Sequence, residues 1–179
     1  PAPPSFSMNG NTILGVLYVS WLLGFILKIF FFKTASGTPE GAAFDGGFCL
    51  IFFILVTKCS DIGAYSLGSL IGRHKMIPKV SPGKTWEGFA GAILLSTAVA
   101  LVIAHYFGAT KLGGMTLTHA AVLGPLMAIG AVVGDLVESV FKRDSGVKDS
   151  GSFFPGIGGI LDLLDSLLFN APLMFLYLR

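Results

Sequence analysis

Charge is scarce in this chain of 179 residues: Lys, Arg, Asp and Glu together make up 12%, where a soluble domain carries about 25%. That shortage excludes an ordinary water-facing surface. The formal charge of +2 falls short of what nucleic-acid binding would need, and no basic strip interleaved with aromatics appears. Cysteine is nearly missing as well. Cys49 and Cys59 have neither a metal nor a redox spacing, and both lie in or beside an apolar run where a small buried thiol is the ordinary role. The opening Pro1, Ala2, Pro3 and Pro4 lack the basic start and short apolar core of a secretory signal.

What the chain has instead is apolar length. Apolar residues make up 53%, and they fall into five stretches, each near the roughly 20 residues that cross a hydrocarbon core about 30 Å thick. The stretches cover residues 11–32, 44–70, 86–106, 119–141 and 159–178. The pattern predicts an all-α, polytopic helical membrane protein with about five transmembrane helices and cytoplasmic polar loops. Residues 1–43 form an amino-terminal segment with the first helix, and 44–179 form the membrane domain that holds the motifs. Two long polar connections, Arg73 to Thr85 and Lys142 to Gly156, carry Arg73, Lys75, Lys79, Lys84, Lys142, Arg143 and Lys148, seven of the twelve basic residues. Alternation puts both connections on one side, and the positive-inside rule makes that side cytoplasmic.

Acids inside apolar stretches are the candidates for chemistry, because lipid-facing helices exclude them. Asp162 and Asp165 stand three apart on one helix face, where two carboxylates repel unless a cation lies between them. Carboxylates without a Cys or His cluster favour Mg²⁺ over a soft metal. The alternative for this pair is a helix start whose acids favour its positive dipole end. Asp135 and Glu138 repeat the spacing, with Glu138 open either to the cation or to an ion pair with Lys142 one turn on. Asp61 adds a third acidic point, either paired with Lys58 or directed at a cation or a basic phosphate ligand.

Phosphate-compatible segments accompany the acids. Ser81, Pro82, Gly83, Lys84 and Thr85 combine a restricted turn, a flexible backbone position, an ammonium and hydroxyl donors. They do not form a Walker A loop, since Pro78 occupies the position of its earlier glycine, and anchoring at the membrane interface is the alternative role for the segment. Pro155, Gly156, Ile157, Gly158 and Gly159 precede the helix of Asp162 and Asp165; the glycines suit either a flexible re-entry into the membrane or an anion held at close range by unpaired helix-start N–H groups, and the nearby carboxylates favour the second.

Read together, Ser139, Lys142, Arg143, Lys148, Asp149, Gly151, Pro155, Gly156, Gly158, Gly159, Asp162 and Asp165 resemble the C-terminal signature of the phosphatidate cytidylyltransferase family. The segments DIGAYSLGSLIG at 61–72 and SPGKTWEG at 81–88 resemble that family's preceding regions. The resemblance implies an integral membrane enzyme, in the bacterial inner membrane, that transfers a cytidylyl group from CTP to phosphatidic acid at the cytoplasmic face and releases pyrophosphate. It implies Mg²⁺ or Mn²⁺, with room for a second cation such as K⁺. By motif position Asp61, Asp135, Asp162 and Asp165 carry over as metal ligands, with Asp135, Asp162, Asp165 and Lys84 as the catalytic set. Ser81, Gly83, Lys84, Thr85, Lys142, Arg143, Lys148, Gly158 and Gly159 carry over as the nucleotide and phosphate contacts.

Two positions depart from the family's pattern: Ile157 stands where a histidine is common, and Leu163 where an arginine is common. An imidazole and a guanidinium that would position phosphates are thereby missing. The expected partners are CTP, phosphatidic acid and membrane lipids, with no nucleic acid; an exposed helix face would also suit a homodimer. The competing readings are a related CTP-dependent transferase for another lipid phosphate, and an ion transporter or channel component, whose acids would be spread along a path through the membrane.

Overall fold

The computed structural model describes residues 19–32, 44–78, 80–144 and 160–179; of residues 144 and 160–163 it describes the backbone alone. Five helices appear, α1 (Val19–Phe30), α2 (Gly46–Ile71), α3 (Trp86–Lys111), α4 (Leu117–Asp144) and α5 (Ile160–Leu178). Three of them, α2, α3 and α4, are long and apolar enough to cross a membrane, while α1 and α5 contribute shorter apolar stretches. The chain is therefore an all-α polytopic membrane protein with at least three membrane-length helices, a smaller number than the five full spans that hydropathy alone suggests. Residues 11–18, expected as the start of the first span, lie outside the described residues.

Helix ends follow local chemistry. Asp45 caps α2, its carboxylate accepting from the Phe48 N–H at 3.1 Å. Thr85 caps α3, its hydroxyl accepting from the Gly88 N–H at 3.1 Å, and Thr116 does the same for His119 at the start of α4. Between α3 and α4 the chain reverses through Gly113 and Gly114, with φ of 64° and 85°. Only glycine takes those values without cost. The Asp45 N–H donates to the Lys111 carbonyl at 2.9 Å, which ties this turn to the start of α2.

The connection between α2 and α3, expected as a plain basic loop, is instead an antiparallel hairpin, β1 (Lys75–Ile77) with β2 (Ser81–Thr85). Pro78 follows β1, and the Val80 N–H closes the turn onto the Ile77 carbonyl at 3.2 Å. Pro82 is tolerated because each strand of a two-stranded ribbon is an edge. Glu87 braces the hairpin base, accepting from the backbone N–H groups of Arg73 and His74 and lying 2.6 Å from the His74 Nδ1. Glu87 also stands in the first turn of α3, where an acid favours the positive end of the helix dipole.

Helices α2 and α3 meet along a seam of glycines. A Cβ on Gly88 would lie 2.7 Å from the Ala64 carbonyl and 3.2 Å from the Gly68 Cα, and one on Gly91 would lie 2.8 Å from the Leu67 Cβ. Small residues let backbones approach in this way, and dispersion then holds helices that gain nothing from leaving water. Below the seam, Phe52, Phe53 and Val56 of α2 pack with Ala100, Met127, Leu167 and Met174 into one core. Polar threads add direction. The Asn170 amide donates to the Thr57 hydroxyl at 3.2 Å and to the Met127 carbonyl at 2.9 Å, joining α5 to α2 and α4. The Ser96 hydroxyl donates to the Gly124 carbonyl at 3.0 Å, joining α3 to α4. Leu94, Val102, Val122, Leu126 and Ile129 point outward, as a lipid-facing surface requires.

Gly91→Val tests the seam. The added side chain overpacks a backbone contact, so stability in detergent should fall by about 1–3 kcal/mol, read as a lower thermal midpoint. An outward control, Leu94→Val, should stay within about 0.5 kcal/mol. Equal midpoints for the two variants would show that the seam is loose.

Candidate active site

The same end of the bundle holds the last third of α4, the first turns of α5, and the hairpin. Helices α4 and α5 come close at Gly134, where a Cβ would lie 2.8 Å from the Phe169 Cβ and 2.9 Å from the Asp165 carbonyl oxygen. That contact brings Asp165 beside Asp135, the residue after Gly134. Glu138, one turn further along α4, faces the same way. Carboxylate oxygens of Asp135, Glu138 and Asp165 all lie within 4.8 Å of one another.

Three acids so placed repel strongly unless cations intervene. Two ammonium groups do so at the edge. Lys84 reaches across from β2, 2.8 Å from the Asp135 Oδ2, and donates to the Val132 carbonyl at 3.0 Å. Lys142 lies 3.2 Å from the Glu138 Oε1. Glu138 is buried and Lys84 largely so, whereas Asp135 is half exposed and faces the opening. On the remote side the Ser139 hydroxyl donates to Asp135 at 3.5 Å, and the Ser166 N–H is directed at the Asp165 Oδ1.

The acids form part of the wall of an open cavity of about 700 Å³. Its opposite wall comes from the hairpin and from α2, including Ser81, Gly83, Lys84, Thr85 and Asp61. Lys142 also lines it. The cavity therefore has an acidic floor and an ammonium group on each of two sides, an arrangement suited to holding a cation beneath a polyanion. Mg²⁺ keeps several of its waters and takes only one or two carboxylates directly, so three carboxylates with oxygens within 4.8 Å of one another could share such an ion directly or through its waters. Hard oxygen donors without thiolate or imidazole match Mg²⁺ or Mn²⁺.

Several residues expected from sequence stand together here, and others do not. Asp135, Asp165, Lys84 and Lys142 gather at the floor and sides. Ser81 and Gly83 line the cavity, but the Thr85 hydroxyl is buried and engaged in capping α3. Asp61 lines the same cavity outside the three-carboxylate group, held by Lys58 at 3.1 Å and by the Ser166 hydroxyl at 3.0 Å. Arg143 is exposed on the last turn of α4 and is not among the cavity's described lining residues. Lys148, Gly158, Gly159 and the side chain of Asp162 lie outside the described residues. Glu138 pairs with Lys142, one of the two roles left open by spacing, and it also stands in the acid group that could hold a cation. Sequence reasoning missed Ser166 and Lys75; only the basic character of the hairpin pointed to the latter.

Comparison with known proteins places these features in context. The chain matches the model of the Cytidylyltransferase family over residues 3–179. A phosphatidate cytidylyltransferase of Haemophilus influenzae is 36% identical over 163 residues, covering 90% of this chain and 56% of the relative. One from Staphylococcus epidermidis is 39% identical over 170 residues, covering 95% of this chain and 59% of the relative. The chain thus spans somewhat over half the length of these two curated relatives. A solved structure of an intramembrane enzyme for archaeal membrane lipids biosynthesis superposes with a TM-score of 0.51 at 25% identity, covering 72% of this chain and 76% of that one.

Proposed function

The chain belongs to the cytidylyltransferase family, and from that membership and the site geometry we propose that it transfers a cytidylyl group from CTP to phosphatidic acid. The products are CDP-diacylglycerol and pyrophosphate. The observation that carries the reading is the convergence of Asp135, Glu138 and Asp165 beneath a cavity flanked by Lys84 and Lys142. Identity of 36% and 39% to two phosphatidate cytidylyltransferases supports it.

In this reaction a phosphate oxygen of the lipid attacks the α-phosphorus of CTP. A P–O bond forms there, and the bond to the bridging oxygen breaks, its electron pair leaving with pyrophosphate. Phosphatidate is already an anion near neutral pH, so no residue need remove a proton from it. The difficulty is repulsion between two polyanions and the charge that builds on the leaving group. Lys84 and Lys142 stand where their ammonium groups can turn from the carboxylates toward phosphate oxygens. Asp135, Glu138 and Asp165, with Asp162 by motif position, would hold Mg²⁺ or Mn²⁺. A divalent ion bound there would neutralise phosphate charge. Asp61 is assigned to a supporting place beside Lys58, and a second cation such as K⁺ remains part of the proposal only at the family level.

Five helices crossing a bacterial inner membrane, with the hairpin on the cytoplasmic side, complete the proposed topology. Seven basic residues in the two connections on that side support the orientation. The transporter reading calls for acids strung along a path across the bilayer, whereas the three grouped carboxylates gather near one end of α4 and α5.

The deciding experiment is turnover by purified protein in vesicles supplied with CTP, Mg²⁺ and phosphatidate, resolving CDP-lipid and pyrophosphate. Stoichiometric appearance of both supports the proposal. CMP and phosphate in their place would redirect it to hydrolysis, and turnover with a different lipid phosphate alone would identify a related transferase.

A further inference from the structure

Lys58 lies well inside α2, a helix of membrane length, where an ammonium is costly and persists only with partners. It donates to the Asp61 Oδ2 at 3.1 Å, one turn along its own helix, and to the Ser166 hydroxyl oxygen at 3.0 Å on α5. The Ser166 hydroxyl in turn donates to the same Asp61 oxygen at 3.0 Å. Within this triangle the single hydroxyl proton goes to the carboxylate, and a hydroxyl lone pair receives the ammonium.

A pair meant only to neutralise charge would end with Lys58 and Asp61, three residues apart on one helix. The extension to Ser166 crosses to α5 and seizes the residue next to Asp165. Ser166 is 1% exposed, and its backbone N–H is directed at the Asp165 carboxylate. Lys58 thus holds the residue next to Asp165, on the turn that presents Asp165 to Asp135 and Glu138. We propose that Lys58 is a positioning residue for Asp165, acting through Ser166 and Asp61 to hold the first turns of α5 against α2. The inference rests on the reading of Asp165 as a cation ligand in the cytidylyl transfer.

The test uses the full chain in lipid nanodiscs with three single variants, Lys58→Met, Lys58→Arg and Ser166→Ala, and the Lys58→Met/Ser166→Ala double. Initial rates over a CTP series are paired with hydrogen exchange in the first turns of α5. Outer partners of metal ligands typically contribute about 10–100-fold, so Lys58→Met should lower kcat at least about tenfold with KM for CTP held within about twofold. Exchange in those turns should quicken, Lys58→Arg should recover most of kcat, and Ser166→Ala should reproduce the loss. The double variant should fall little below either single, because both act through one network.

Unchanged kcat in Lys58→Met overturns the proposal. So does a loss that Lys58→Arg fails to recover and that tracks a lower thermal midpoint, or losses that multiply in the double. If Lys58→Met does not fold, Ser166→Ala decides by the same kcat and exchange readouts. Should the unmodified protein make no CDP-lipid, the transferase reading fails while exchange still judges this inference. Faster exchange confined to the start of α5 upholds it, and unchanged exchange overturns it.

Discussion

Asp165→Asn is expected to reduce CDP-lipid formation by at least about hundredfold, since even the outer partners of a metal ligand are worth about 10–100-fold. The amide keeps the size and shape of the carboxylate and removes its charge. Asp165 is the one member of the described acid group that comes from α5; Asp135 and Glu138 both come from α4. Its loss leaves two carboxylates on one helix, each with an ammonium already beside it at 2.8 Å and 3.2 Å. Folding should survive, because α5 remains anchored by the Asn170 bonds to Thr57 and Met127. The check combines turnover with Mn²⁺ binding followed by electron paramagnetic resonance, where the variant should bind weakly. Wild-type rates with wild-type Mn²⁺ binding would remove Asp165 from the cation site.

Lys84→Met should be nearly as severe, with a different signature. Loss of a charged donor that faces developing negative charge costs about 10²–10³ in kcat. Because Lys84 would also meet the triphosphate before reaction, KM for CTP should rise alongside. The stability cost should be small: Asp135 is half exposed and can be solvated once its partner is gone, and such pairs contribute about 0–1 kcal/mol. Hairpin geometry does not depend on the ammonium, since Glu87 and the Thr85 cap fix its base. Lys84→Arg should restore part of the CTP affinity. An unaltered CTP profile in Lys84→Met would reduce the residue to a counter-charge for Asp135.

Much of this architecture was legible from local pattern. The three membrane-length helices follow from apolar runs, and the grouping of Asp135 with Glu138 follows from a spacing of three on a helix. What local pattern could not supply was distance between segments remote in the chain. The Lys58 and Asp61 pair was readable because it is local, but its third member, Ser166, is 105 residues from Asp61. Gly63, Gly68, Gly88 and Gly91 appear in sequence as scattered small residues, and only the crossing of α2 and α3 makes them a seam. The hairpin was hidden for another reason. Pro82 and Gly83 are breakers in most strands, and their tolerance here depends on the ribbon having no third strand.

In the proposed transfer, the cavity at the ends of α4 and α5, with apolar flanks outside and an opening beside the hairpin, would draw its two reactants from reservoirs of different dimension. CTP would arrive from a volume, so its supply is a molarity. A diacyl lipid would arrive from a plane, so its supply is a surface density, and diluting the vesicles tenfold leaves that density untouched. Doubling a neutral carrier lipid, at fixed total phosphatidate and fixed volume, should therefore slow the reaction as surely as withholding substrate.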